Sequence, residues 1–289
     1  MINSYVKSFC LKYYKTFLTI NFIIIVMIGC IIQARMGSTR LPGKTLLKID
    51  DENTILDSLI NQLSFSKFID KIVIATTNLQ SDNVIVDFAK NLNLEIFRGS
   101  SDNVLDRYFQ CAQSFSFDTI VRITADNPLI DPNIVDLIIN EYNNTECDYM
   151  TNIIDRTFPY GTEVEVFSII SLKKAWMNAK KPSEFEHVTP FIRNPDNKFI
   201  IKNVKNKQNL SYLRYTVDRI EDLTLVKEII KNIISRPILM EDIINLYQKM
   251  PQIFEINKNI KHDGYISSLE KDKAYFKFQK STGRINVKD

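Results

Sequence analysis

Residue types that usually announce a disulfide framework or a zinc centre are scarce in this chain. Across 289 residues there are four cysteines, Cys10, Cys30, Cys111 and Cys147, widely spaced and without a C-x-x-C pair. That suggests neither a disulfide-built scaffold nor a cysteine zinc site, and it fits a reducing cytoplasm. Histidine occurs twice, as His187 and His262, the latter in a charged tail with nothing to recommend it as a functional group. No charge sign dominates. The net charge of +3, from 37 basic and 34 acidic residues, is too balanced to argue for nucleic acid as a partner. There is no internal repeat, low-complexity block or Gly-Ser linker, so one domain with a C-terminal lobe is expected. With 45% hydrophobic and 25% charged residues, neither disorder nor a fibre is indicated.

The N-terminus departs from this ordinary composition. Lys7, Lys12 and Lys15 precede an apolar run from Phe17 to Ile32 broken only by Thr19, Asn21 and Gly29, in the manner of a signal or anchor sequence. The second half of that run doubles as the first strand of the domain, and no small-residue cleavage cue precedes Gln33. Residues 1–26 are therefore read as an extension, either accessory or a product of start-codon choice, with contact with a membrane surface as a minor alternative. Residues 27–260 form the expected domain, and 261–289 a charged C-terminal tail.

The segment Gln33-Ala34-Arg35-Met36-Gly37-Ser38-Thr39-Arg40-Leu41-Pro42-Gly43-Lys44 organises the rest. It follows the apolar run Ile28–Ile32, a buried strand, and precedes Ile55, Leu56, Leu59, Ile60 and Leu63, an amphipathic helix. Gly37 and Gly43 free the backbone to aim N–H groups into a concavity, and Arg35, Arg40 and Lys44 supply positive charge. This suits a polyphosphate. A P-loop is excluded, because five residues rather than four separate Gly37 from Gly43-Lys44-Thr45.

Strands and helices then alternate. Lys71–Thr76, Leu94–Phe97 and Thr119–Thr124 read as strands; helices open at Ser81-Asp82, at Asp102 as N-cap, and at Asp131-Pro132. This pattern implies a parallel sheet covered on both faces, a Rossmann-like α/β nucleotide fold. After Tyr149 the rhythm changes. Tyr149–Ile153, Glu163–Phe167, Lys198–Lys205 and Leu213–Val217 read as strands that extend the sheet in mixed orientation and wall the acceptor side. Ser183–Glu186 matches a capping box opening a short helix through His187, and helices are expected over Glu221–Ser235 and Met240–Met250.

Ligands of open α/β sheets bind beyond the carboxyl ends of the strands. Asp126 lies just past the fourth strand, where an acid beside triphosphate needs an intervening divalent cation; capping the loop before Pro128 is the alternative. Asp218 closes Arg214–Val217 and either shares that Mg²⁺ or caps the next helix. Glu163 and Glu165 alternate with Val164 and Val166, facing a sugar or metal, or solvent. His187, near Arg193, either contacts an anionic acceptor or packs structurally. Asp106 and Arg107 reach base or ribose, or form a helix-face ion pair.

Five motifs in order carry a family resemblance. They are Gln33–Lys44; Phe97-Arg98-Gly99-Ser100 with Val104–Tyr108; Val121–Asp131; Glu186-His187-Val188-Thr189-Pro190; and Thr216-Val217-Asp218 with Glu221-Asp222. Together they resemble the cytidylyltransferase family, which includes the CMP-sugar-acid synthetases, and within it the SpsF-like branch of spore-coat polysaccharide biosynthesis. The resemblance spans roughly Ile28 to Ile260. It implies a GT-A-like nucleotidyltransferase fold, CTP as donor, a sugar acid or sugar phosphate as acceptor, Mg²⁺ as cofactor, and a homodimer. It places Arg35, Arg40 and Lys44 on the triphosphate, Asp126 and Asp218 on the metal, and Asp106 and Arg107 near base or ribose. Ala125 and Asn127 depart from the Gly and Cys or Glu more usual in relatives. A glycosyltransferase on the same type of fold fits less well, since no Asp-x-Asp motif surrounds Asp126, and a non-catalytic nucleotide-binding scaffold is the third reading.

Overall fold

The computed structural model describes residues 26–260 and 264–281. The N-terminal extension, Val26 excepted, and His262 lie outside these residues. The sheet has seven strands: β1 (Ile28–Gln33), β2 (Lys71–Thr77), β3 (Glu95–Gly99), β4 (Thr119–Thr124), β5 (Tyr149–Thr151), β6 (Glu165–Ser168) and β7 (Ile201–Asn203). Their order is β3-β2-β1-β4-β6-β5-β7. The first four strands are mutually parallel, β6 runs antiparallel to β4 and β5, and β7 is parallel to β5. The alternating first half thus gives the parallel sheet its pattern requires, and the second half extends it in mixed orientation.

The helices are α1 (Ile55–Leu63), α2 (Asn83–Asn91), α3 (Val104–Ser114), α4 (Pro132–Asn143), α5 (Ile169–Asn178), α6 (Pro182–His187), α7 (Pro190–Arg193), α8 (Ile220–Asn232), α9 (Met240–Lys249) and α10 (Gly264–Ser281). None of the described helices is long and apolar enough to cross a membrane. β1 is covered on both faces: Cys30 and Ile32 pack with Leu56, Leu59 and Leu63 of α1, while Ile31 packs with Leu105 and Tyr108 of α3. Each such aliphatic side chain withdrawn from water contributes about 1.5–3 kcal/mol, so the strand that carries the loop is firmly seated. Gly29 permits a close approach, since a Cβ there would stand 2.1 Å from the Phe117 ring.

Several local expectations are corrected. The N-cap of α3 is Asn103, whose side chain accepts from the Asp106 amide; Asp102 lies one residue too early. α6 begins at Pro182, because Glu184 turns back to accept from the Lys180 and Lys181 amides, and Ser183 instead binds Asp272. Leu213–Val217 is no sheet strand and makes a single bridge, Tyr160 with Arg214. Only Ile201–Asn203 of the expected strand over Lys198–Lys205 joins the sheet. The supposed tail includes α10, which packs on α6.

Candidate active site

The loop after β1 is built on its anchors. The Met36 amide donates to buried Asp82 at 2.8 Å, and Thr45 Oγ1 donates to the Arg35 carbonyl at 3.3 Å. Asp82 also accepts from the Thr77 hydroxyl at the end of β2, so the loop hangs from the neighbouring strand. Gly43 turns the chain with φ 67°, a left-handed conformation costly for residues with a Cβ. Its N–H is spent on the Met36 carbonyl at 3.1 Å, so this glycine shapes the loop rather than offering a donor to a ligand. Gly37 has no positive φ and open space around it. Lys44 follows at the start of a short 3-10 turn, Lys44–Leu46.

Lys44 joins the two acids. Its Nζ lies 2.8 Å from Asp126 Oδ2, 2.7 Å from Asp218 Oδ1 and 2.9 Å from the Val217 carbonyl. Arg40 reaches the same Asp218 oxygen at 2.8 Å. Burial alone would lower the Lys44 pKa, but the facing carboxylates outweigh it and raise it, which keeps the ammonium charged. Burial likewise favours a neutral Asp218, yet Lys44 and then Arg40 hold its carboxyl well below the usual range.

Two chain segments meet here for a physical reason. The Val217 amide and the Thr216 hydroxyl both donate to the Asp126 carbonyl, tying the loop after β4 to the extended segment before α8. Behind it, buried Asp222 accepts from the Asp218 and Arg219 amides, from Asn257 and from Arg214. The N-cap of α8 is Arg219, so the Asp218 side chain is left to face Lys44.

These groups border a cleft of about 870 Å³ at the carboxyl edge of the sheet. Gln33, Ala34, Arg35, Gly37, Ser38, Arg40, Lys44, Arg107, Asp126 and His187 line it, and Asp218 joins through its ion pairs with Lys44 and Arg40. Arg107 is buried and donates to the Ser100 carbonyl at 2.7 Å. His187 bonds Ser268 Oγ through Nε2 at 2.7 Å; burial, then Arg122, push its pKa down to about 4.

Other candidates stand elsewhere. Asp106 turns to Trp176 Nε1 and Gln110 on α3, and neither an Arg107 ion pair nor a contact with the cleft results. Glu163 pairs with Arg156 at 2.7 Å and accepts from the Gly161 amide, away from the cleft. Glu165 faces neither solvent nor the cleft: it is buried against Arg122, with the Tyr149 and Thr189 hydroxyls donating to it at 2.5 Å each. Arg193 lines a separate cavity of about 470 Å³ beside Lys181, Asn194 and Asp272.

Arg122 was not evident from the sequence. It lines the cleft from β4, donates to Gln33 Oε1 at 2.9 Å and is neutralised by Glu165 beneath it. An arginine inside an otherwise apolar strand was the available signal, because a buried guanidinium needs a carboxylate partner.

Among the described residues no three His, Cys, Asp or Glu side chains gather as a metal cluster. Two carboxylates converging on one cation nevertheless suit a hard divalent ion that draws its other ligands from phosphate and water. Lys44 demonstrates the convergence, since a single ammonium contacts both.

A protein-family model described as cytidylyltransferase matches residues 29–260. A Methanocaldococcus jannaschii protein without assigned activity is 39% identical over 81% of this chain and 96% of its own length. The spore coat polysaccharide biosynthesis protein SpsF of Bacillus subtilis is 32% identical over 76% of this chain and 94% of its own. A solved structure of a cytidylyltransferase from Leptospira borgpetersenii superposes with a TM-score of 0.77 at 36% identity, covering 82% of this chain and 100% of the other.

Proposed function

Because this chain belongs to the cytidylyltransferase family, and is thus a nucleotidyltransferase, we propose that it transfers CMP from CTP to an acidic or phosphorylated sugar with release of pyrophosphate. The observation that carries this reading is the contact of one Lys44 ammonium with both Asp126 and Asp218, inside a loop that also presents Arg35 and Arg40. That is the charge arrangement a triphosphate with a divalent counter-ion requires.

Arg35, Arg40 and Lys44 bind the phosphate oxygens, with Gly37 and Ser38 lining the same wall. Asp126 and Asp218 would hold the divalent ion, Mg²⁺ in this reading, which when bound neutralises phosphate charge and makes the α-phosphorus more electrophilic. The acceptor oxygen bonds to the α-phosphorus as its proton passes to solvent. The bond from the α-phosphorus to the bridging oxygen breaks, and pyrophosphate leaves with the electron pair. Charge grows on the phosphate oxygens during this exchange, so fixed cations stabilise the transition state more than the ground state. Arg122, held in place by Glu165 and Gln33, lines the cleft with its charge offset by Glu165. No covalent intermediate with the protein is needed.

The name of the Bacillus subtilis relative supports a role in making surface polysaccharide, and the reducing-compartment cysteine pattern supports a cytoplasmic enzyme. We take the working form to be a homodimer, which light scattering tests. The reaction is tested by measuring pyrophosphate release from CTP, with ATP, GTP and UTP as controls, against a panel of sugar acids and sugar phosphates. Release that depends on both CTP and one acceptor supports the reading; no release with any acceptor overturns it.

A further inference from the structure

The family match ends at residue 260, yet the cleft does not. Helix α10, beyond that match, contributes Ser268, Lys271 and Tyr275 to its wall. The helix is docked on α6 by a buried clamp in which Ser183 donates to Asp272 twice, from its amide at 2.9 Å and from its hydroxyl at 2.6 Å. His187 adds a third tie through Ser268.

We infer that α10 is the acceptor-reading wall of this enzyme, and that Lys271 holds the anionic group of the sugar acid or sugar phosphate. The inference rests on the transfer reaction proposed above and names the residue that selects its second substrate. Packing gives the placement. Thr189, between α6 and α7, bonds Glu165 of β6, and α6 itself packs on α3, the helix that follows the β3 loop and carries Arg107. α6 and the helix riding on it therefore wall the cleft beside the loop after β1, whose Arg35 lies 3.8 Å from Glu186 of α6.

The chemistry of the wall agrees. Glu186 is shared by two cations, Lys271 at 3.1 Å and Arg35 at 3.8 Å, and Lys180 lines the same cleft. One acid between two cations leaves the corner positive. The Ser268 and Tyr275 hydroxyls and the uncharged His187 imidazole add neutral hydrogen-bonding groups suited to a polyhydroxylated ligand. Lys271 is 59% exposed and can exchange Glu186 for a ligand at little structural cost.

The test is calorimetric titration of the full-length enzyme, in the presence of CMP, with the same panel of free sugar acids and sugar phosphates, and separately with CTP. At least one anionic sugar should bind. Lys271→Ala should weaken that sugar about tenfold while CTP affinity stays within twofold, and Lys271→Arg should restore most of the loss. Asp272→Ala, which releases the clamp, should weaken the same sugar and spare CTP. Unchanged sugar affinity in Lys271→Ala, equal losses for sugar and CTP, or no sugar bound by the wild type would each overturn the assignment. A sugar that binds through Lys271 but yields no pyrophosphate with CTP would instead overturn the transfer reaction and leave the wall standing.

Discussion

The Val217 amide donates to the Asp126 carbonyl at 2.8 Å, and this bond fixes how two acids far apart in sequence come to share one cation. The Thr216 hydroxyl donates to the same carbonyl, and Leu129 and Val217 of the two segments share one buried core. With these ties both carboxylates lie within 2.8 Å of the Lys44 ammonium.

Asp126→Asn keeps the side-chain volume and removes the charge. It is expected to lower kcat about a hundredfold or more, the scale of losing one principal electrostatic stabiliser. Steady-state pyrophosphate release checks this, and near-normal turnover would remove Asp126 from the mechanism.

Lys44→Ala should weaken CTP binding and also cost about 2 kcal/mol of stability at pH 7, because partly buried carboxylates lose a partner. The sign with pH follows from the shifts. The Asp218 carboxyl is lowered in the fold, so its contribution is complete above its unfolded value, near ~3.9, and is lost as pH falls through the folded value. Lys44 is raised, so its contribution is complete below its unfolded value of about 10.4 and is lost above the folded value. Denaturant midpoints of wild type and variant should therefore differ most between about pH 5 and 9 and converge at both extremes.

Glu165→Gln leaves the Arg122 guanidinium buried against a neutral partner. Loss of about 3 kcal/mol is expected, read from urea unfolding with an unchanged slope. A solvated strand-face glutamate would give nearly none.

His187, with its pKa pushed down to about 4, remains neutral in the folded state from pH 5 upward. The unfolded chain takes up a proton on this residue below about 6.5, so stability falls as pH drops from that value toward 4. In His187→Gln that part of the slope should vanish. The same shift predicts no His187 inflection in kcat between pH 6 and 8, which a pH–rate profile of the wild type checks.

The sequence made the loop legible because its signals are local: a buried run, two glycines and three cations before an amphipathic helix. The parallel half of the sheet was legible for the same reason, through alternating strand and helix periods. Glu165 was misread because period-two alternation suggests an exposed face, whereas Glu165, Val166 and Phe167 are all buried, so both faces of β6 are covered. Its charge is tolerated only because Arg122 arrives from β4, a pairing that sequence spacing does not display. Asp106 was misassigned because adjacent helix residues point in different directions, Arg107 toward Ser100 and Asp106 toward Trp176. Helix α10 was passed over because its charged and apolar residues form no single stripe, and its docking depends on Asp272 meeting Ser183 across a long separation.

The most direct measurement is a crystal structure with CTP and Mn²⁺, the ion located by its anomalous signal. The account predicts one peak between the Asp126 and Asp218 carboxylates, with phosphate oxygens against Lys44 and Arg40. A peak elsewhere, or a triphosphate lying away from those two cations, would contradict it.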